Sequence, residues 1–259
     1  MLTIIQVGDN KASNTYVRNK MRAVEEAGLR AEHVHLPDSV CTEDVIDAIY
    51  AACESTAVIV QLPLPVHIDK EQVLNAISPW QDIDGLVPNS PYKPLTPCAI
   101  MRWLREKGVD LEGKNVTVLG RSDLVGKPLA NMMIEEGATV TVCNSHTPEL
   151  KKNMHCILGD IVVSAVGKPD TITEDDVRSM GGQIFIDVGI NRTDEGKICG
   201  DISEAARERI LLCGSECTPV PGGVGKWTVR ELVLRLAEME GMRERRKDDN
   251  QRLAGCRDQ

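Results

Sequence analysis

The sequence predicts an α/β protein of two α/β domains, the second a Rossmann-like parallel sheet, with a C-terminal helix returning to the first. Short β-branched runs alternate with helical patterns, the signature of βαβ units and a parallel sheet. Apolar residues make up 42% of the chain and aromatics only 3%, with Phe185 the single phenylalanine. The core must therefore be built from Val, Ile, Leu and Ala, as buried parallel strands usually are. A length of 259 residues suits one large or two small domains.

The elements follow in order. Thr3–Val7 reads as a strand, and Ser13 to Gly28 as a helix closed by Gly28. Residues 57–61 form a buried strand stopped by Pro63 and Pro65. Pro97 to Lys107 is a helix with Gly108 at its end. Val116–Leu119, Thr139–Cys143, Ile161–Ala165 and Ile184–Val188 are strands, separated by helical stretches near 126–136, 148–155 and 173–179. Thr228 to about Arg245 is a long amphipathic helix, and the charged residues from Arg246 to Gln259 are expected to fray. The pattern breaks at the turn Asp110-Leu111-Glu112-Gly113-Lys114. This places one domain at residues 1–112, joined by the helix within 227–259, and the other at 113–226.

Charge and composition exclude several classes. There are 39 acidic against 30 basic residues, a net charge of -9, and a general nucleic-acid binder needs a basic face. No apolar run approaches the ~18 residues of a membrane span, and Met1-Leu2-Thr3-Ile4-Ile5 lacks the basic and long apolar regions of a signal peptide. Nine scattered cysteines, an odd number with no Cys-x-x-Cys pair, read as reduced thiols of a cytoplasmic protein rather than zinc ligands or disulfides. No metal is expected.

In the second block, Val118-Leu119-Gly120-Arg121-Ser122-Asp123-Leu124-Val125-Gly126-Lys127-Pro128 leaves a strand and opens a helix. Backbone N–H groups and the positive helix end make such a junction suitable for phosphate. The spacing is neither the usual G-x-G-x-x-G nor a Walker loop, so a structural turn is the competing reading. The next strand ends in Cys143-Asn144-Ser145-His146. An NAD site usually has Asp or Glu there, to hold the ribose 2′-OH. Asn144 and Ser145 supply no carboxylate, and a 2′-phosphate would meet a hydroxyl donor with Arg121 in reach. This favours NADP over NAD.

In the first block, Tyr16 and Lys20 are four apart and share one helix face. Gln61 ends a buried strand, where the ligand crevice of an α/β sheet lies. Asp82-Ile83-Asp84-Gly85 sits in a loop after Trp80. Alone, Tyr16 fits a core position, Lys20 a solvated face, and the acidic loop a turn.

Read together, the segments change those readings. They are Val7-Gly8-Asp9-Asn10-Lys11-Ala12-Ser13 with Tyr16 to Lys20; Val60-Gln61-Leu62-Pro63-Leu64-Pro65; Asp82-Ile83-Asp84-Gly85; Thr96-Pro97; Gly120-Arg121-Ser122 with Val125-Gly126-Lys127-Pro128; Val188-Gly189-Ile190-Asn191; Gly200-Asp201; and Thr218-Pro219-Val220-Pro221-Gly222-Gly223-Val224-Gly225. In this order, over residues 7 to 225, they resemble the bifunctional methylenetetrahydrofolate dehydrogenase/methenyltetrahydrofolate cyclohydrolase (FolD) family.

The resemblance implies NADP-dependent oxidation of 5,10-methylenetetrahydrofolate and hydrolysis of the methenyl product to 10-formyltetrahydrofolate. Lys20 looks like the catalytic lysine, Gln61 like the glutamine that orients it, Asp84 like the carboxylate holding the pterin, and Tyr16 like the residue stacked on the aminobenzoyl ring. An ammonium acts as a base only when its pKa is lowered, and burial in a folate crevice is expected to do that. Pro221, Gly222 and Gly223 are expected on the folate side, and Gly120, Arg121, Ser122, Ser145 and Ile190 on the cofactor side. A homodimer built through the second domain is also implied.

Three departures stand out. The family begins with a helix before its first strand, whereas here Met1 is almost on that strand, and an N-terminally extended form is expected to be more stable. Lys226-Trp227-Thr228 replaces the family's Pro-Met-Thr, so the pair either alters folate contacts or caps the following helix. His146 stands where Arg or Lys is usual. The alternatives are a monofunctional or NAD-using dehydrogenase of the same family, and a non-catalytic folate-binding relative.

Overall fold

The computed structural model describes the backbone of residues 1–193 and 196–255, with side chains described to residue 246. In chain order the strands are β1 (Leu2–Val7), β2 (Ala31–Leu36), β3 (Ala57–Val60), β4 (Asn115–Leu119), β5 (Thr139–Cys143), β6 (Ile161–Ser164), β7 (Ile184–Asp187), β8 (Asn191–Arg192), β9 (Ile198–Cys199) and β10 (Glu216–Cys217). The helices are α1 (Lys11–Glu26), α2 (Thr42–Ala51), α3 (Lys70–Ala76), α4 (Leu95–Glu106), α5 (Gly126–Glu135), α6 (Glu149–Leu158), α7 (Glu204–Leu212) and α8 (Val224–Gly255). No described helix is long and apolar enough to cross a membrane.

The chain divides into two compact units. One holds Met1–Leu95 and the chain from Val229 onward, and the other holds Thr96–Thr228. The expected boundary at residue 112 is therefore displaced. Ile100, Met101 and Leu104 of α4 are buried with Val116, Leu129 and Ile161 of the second unit. A turn marks a break in the chain, but apolar burial decides which core an element joins.

The first unit is a parallel sheet in the order β2-β1-β3. Asp82 extends it by a parallel bridge to Val58. β1 is buried at every position because it is central and covered on both faces. One face meets Val17 and Val24 of α1 with Leu232, Leu236 and Met239 of α8. The other meets Val45 and Ile49 of α2 and Val73 of α3. Each such side chain contributes roughly 1.5–3 kcal/mol by leaving water. Asn10 caps α1 by accepting from Ala12 N at 2.9 Å and Ser13 N at 3.1 Å. At its other end Leu29 N donates to Val24 O at 3.1 Å beside Gly28, the turn the sequence expected there.

The second unit is a five-stranded sheet in the order β10-β7-β6-β4-β5, with every pairing in it parallel. From β4 the chain moves first to β5 on one side and then to β6 on the other. The carboxyl ends of β4 and β6 thus form the point where strand order reverses, which is where open α/β sheets bind ligands.

Several expectations are corrected. The stretch 173–179 is only a 3-10 turn over Glu174–Asp176, because Asp176 turns back to accept from Thr173 N at 2.9 Å. α8 begins at Val224 rather than Thr228 and runs on to Gly255. Part of the expected frayed tail is therefore helical, and the rest lies outside the described residues. β2, α2, α3 and α7 were not expected. β2 carries Glu32, His33 and His35 on an edge strand, which hides the apolar signal.

Candidate active site

Parallel pairing points all strands of the first unit the same way, so Gly8, Gln61 and Asp84 emerge along one carboxyl edge. Gln61 N donates to Ile5 O at 2.8 Å, which fixes the point where Gln61 leaves the sheet. α1 starts at this edge. Lys20, on its buried face and only 8% exposed, donates from Nζ to Gln61 Oε1 at 3.3 Å. The same amide donates through Nε2 to Leu62 O at 2.7 Å. With its nitrogen held by that carbonyl, Gln61 can present only its oxygen to the ammonium. Lys20 is therefore not on a solvated face. Tyr16, one turn earlier, is half-buried, and burial pushes its phenol above the ordinary value of 10.0. It is a neutral, flat surface at physiological pH.

The two acids of the 82–85 loop have different surroundings. Asp82 is buried and accepts from Gly85 N at 3.1 Å and Val87 N at 2.8 Å. It builds the turn. Burial, the largest influence, pushes its carboxyl up against those hydrogen bonds. Asp84 is half-exposed, and its carbonyl accepts from Leu95 N at 3.2 Å.

In the second unit, Gly120 N donates to Cys143 O at 2.9 Å and ties together the loops after β4 and β5. Arg121 and Ser122 on one loop and Ser145 on the other are exposed. Ser122 also shapes the turn into α5, accepting at Oγ from Val125 N at 3.2 Å. A side chain at Gly126 would place its Cβ 2.2 Å from Gly120 O, so this loop tolerates only glycine there. Asn144 Oδ1 accepts from His146 N at 2.9 Å, so position 144 makes a local turn. Ile190 lies exposed beyond β7.

Two buried carboxylates were given no role by the sequence, although Asp201 stands in the Gly200-Asp201 motif. Asp201, fully buried, accepts from Ser164 Oγ and Val166 N at 2.9 Å, Gly167 N at 3.1 Å, Lys168 N at 3.0 Å and Asn191 Nδ2 at 2.9 Å. Asp187 accepts from Gly189 N at 3.1 Å and Asp201 N at 2.9 Å, and pairs with Arg207. Burial pushes the Asp187 carboxyl up, while the neighbouring N–H groups and Arg207 oppose that. A Cβ at Gly189 or Gly200 would lie 1.9 Å from a carboxylate oxygen of Asp201 or Asp187. The Val188-Gly189 and Gly200-Asp201 motifs are therefore one device that holds the loops after β6 and β7. The signal in the sequence was the pairing of an acid with a glycine in each segment.

Pro221, Gly222 and Gly223 form the turn before α8, and Gly223 packs so that a Cβ would meet Pro219 O at 2.5 Å. Trp227 lies inside α8 and stacks on Trp103, with ring centres 4.4 Å apart. It joins the core of the second unit and does not cap the helix. Among the described residues no group of three or more His, Cys, Asp or Glu is placed to hold a metal ion.

Residues 1–84 match the family described as tetrahydrofolate dehydrogenase/cyclohydrolase, catalytic domain. Residues 94–243 match the NAD(P)-binding domain of the same family. The chain belongs to the tetrahydrofolate dehydrogenase/cyclohydrolase family. The bifunctional protein FolD of Streptococcus thermophilus is 42% identical over 245 residues, covering 90% of this chain and 84% of that protein. The crystal structure of the bifunctional FolD enzyme from Campylobacter jejuni is 36% identical with a TM-score of 0.86, covering 93% of this chain and 88% of that one. FolD of Trypanosoma brucei, solved with NADP and an inhibitor, is 35% identical with a TM-score of 0.86, covering 94% and 87%.

Proposed function

We propose that this chain oxidises 5,10-methylenetetrahydrofolate with NADP and hydrolyses the methenyl product to 10-formyltetrahydrofolate. The observation that carries the reading is the Lys20–Gln61 hydrogen bond of 3.3 Å at the carboxyl edge of the first sheet. NADP, when bound, supplies the hydride acceptor. For hydrolysis, water adds to the methenyl carbon, one carbon–nitrogen bond breaks, and one proton is released. Lys20 takes that proton as the neutral amine, and Gln61, which accepts from Nζ, keeps the amine aimed. Tyr16 gives the aminobenzoyl ring a face to stack on, and Asp84 accepts from the pterin's amino and ring N–H groups.

The fit to a dinucleotide rests on loop 120–126, where Gly120 and Gly126 leave no room for a side chain, at the reversal point of the second sheet. Gly120, Ser122 and Ile190 cradle the cofactor there. Arg121 and Ser145 receive the ribose 2′-phosphate, and no carboxylate stands at position 144 to favour NAD. The protein works in the cytoplasm as a homodimer, and no nucleic acid or membrane takes part. What supports the dimer is a row of exposed apolar side chains on α6, Leu150, Met154, Ile157 and Leu158.

The purified protein is given methylenetetrahydrofolate with NADP or NAD, and the reduced nucleotide and the methenyl absorbance are followed. The reading expects NADPH to form, methenyl not to accumulate, and NAD to be the poorer acceptor. Methenyl accumulating without decay would remove the hydrolase step. Equal use of NAD at equal concentration would remove the 2′-phosphate site.

A further inference from the structure

We propose that Arg235 is a positioning residue for the folate site, setting the direction of the Asp84 carboxylate. The proposal rests on the reading of Asp84 as the pterin acceptor. Arg235 lies on α8 within the first unit and is only 7% exposed. Its Nη1 donates to Ile83 O at 2.8 Å and to Lys93 O at 2.7 Å. Ile83 O belongs to the same planar peptide as the N–H of Asp84. Holding that oxygen fixes the plane from which the Asp84 side chain departs.

The second bond closes the loop. Lys93 lies at the far end of the 83–93 segment, and the two ends touch at Gly85. Gly85 has φ of 70°, and a Cβ there would strike the Lys93 carbonyl at 2.6 Å. Arg235 is bonded to both ends at once. The Tyr92 ring lies 5.6 Å from its guanidinium carbon and covers it. Asp82 shapes the turn from within through Gly85 N and Val87 N. A guanidinium that is this buried must be matched by acceptors, and here the acceptors are main-chain carbonyls flanking one carboxylate. Two-point recognition by that carboxylate depends on its angle.

The test is a double-mutant cycle read by dehydrogenase kinetics. Arg235→Met keeps the apolar stem and removes the donors. In this variant KM for methylenetetrahydrofolate is expected to rise about tenfold, close to 1.4 kcal/mol, with kcat and KM for NADP within about twofold of the parent. In an Asp84→Asn background, the same change is expected to add less than about twofold, because the aimed group has already gone. Arg235→Lys, which keeps a charge but not the fork, serves if the methionine variant does not fold.

An unchanged folate KM in a folded Arg235 variant would overturn the proposal. So would a full tenfold effect persisting in the Asp84→Asn background. If Asp84→Asn alone leaves folate KM unchanged, the pterin reading of Asp84 fails, and the proposal fails with it by a separate route.

Discussion

Lys20 and Gln61 are 41 residues apart in sequence and one hydrogen bond apart in space. The helical spacing of Tyr16 and Lys20 was legible, because four residues return a side chain to the same face. Their proximity to Gln61 was not, because pairing of β1 with β3 creates it. Read alone, residues favour a solvated Lys20, whereas the fold buries it. The buried pair Asp187 and Asp201 was harder still to see. Their partners are largely main-chain N–H groups, which leave no residue-type pattern. At the cofactor end, Arg121 and Ser145 are exposed on loops joined by the Gly120–Cys143 hydrogen bond. Arg121→Ala should raise KM for NADP at least about tenfold, as expected for losing a charge-assisted phosphate contact, and leave KM for NAD within about twofold. Parallel initial-rate measurements with both nucleotides check this, and an equal rise for both would remove Arg121 from the 2′-phosphate.

The turn from β4 into α5 is the element whose sequence and geometry agree most closely. Gly126 was marked by its place after a strand, and the 2.2 Å approach to Gly120 O explains why no side chain fits. Gly126→Ala overpacks the loop at a cost of roughly 1–3 kcal/mol. It should abolish dehydrogenase activity while methenyl added directly is still hydrolysed, since Lys20 and Gln61 lie in the other unit. Decay of methenyl absorbance in the variant measures this, and loss of both activities in a folded variant would contradict it. Elements with strong apolar runs, such as β1 and β3, were legible. β2 was not, because an edge strand exposes alternate polar residues, and 173–179 makes only a short turn because Asp176 satisfies Thr173 locally.

At the scale of the molecule, two α/β units were legible from alternation, but their boundary was not. α4 carries both a half-buried and a buried face, and only packing shows that Ile100, Met101 and Leu104 belong with the second core. The stripe on α6 bears on assembly, with Leu150 73% and Leu158 63% exposed. If α6 carries the proposed homodimer interface, Leu158→Glu should leave a monomer without lowering the stability of the isolated fold, because an exposed apolar patch gains by being covered. Sedimentation at several concentrations decides, and an unchanged mass would place the interface elsewhere. On the proposed function, the buried Lys20 serves the hydrolytic step. The most direct measurement is methenyl hydrolysis by Lys20→Met, with a thermal melt of the same sample. A cooperative melt and hydrolysis no faster than the uncatalysed reaction are expected. Hydrolysis at the parent rate by the folded variant would contradict that role.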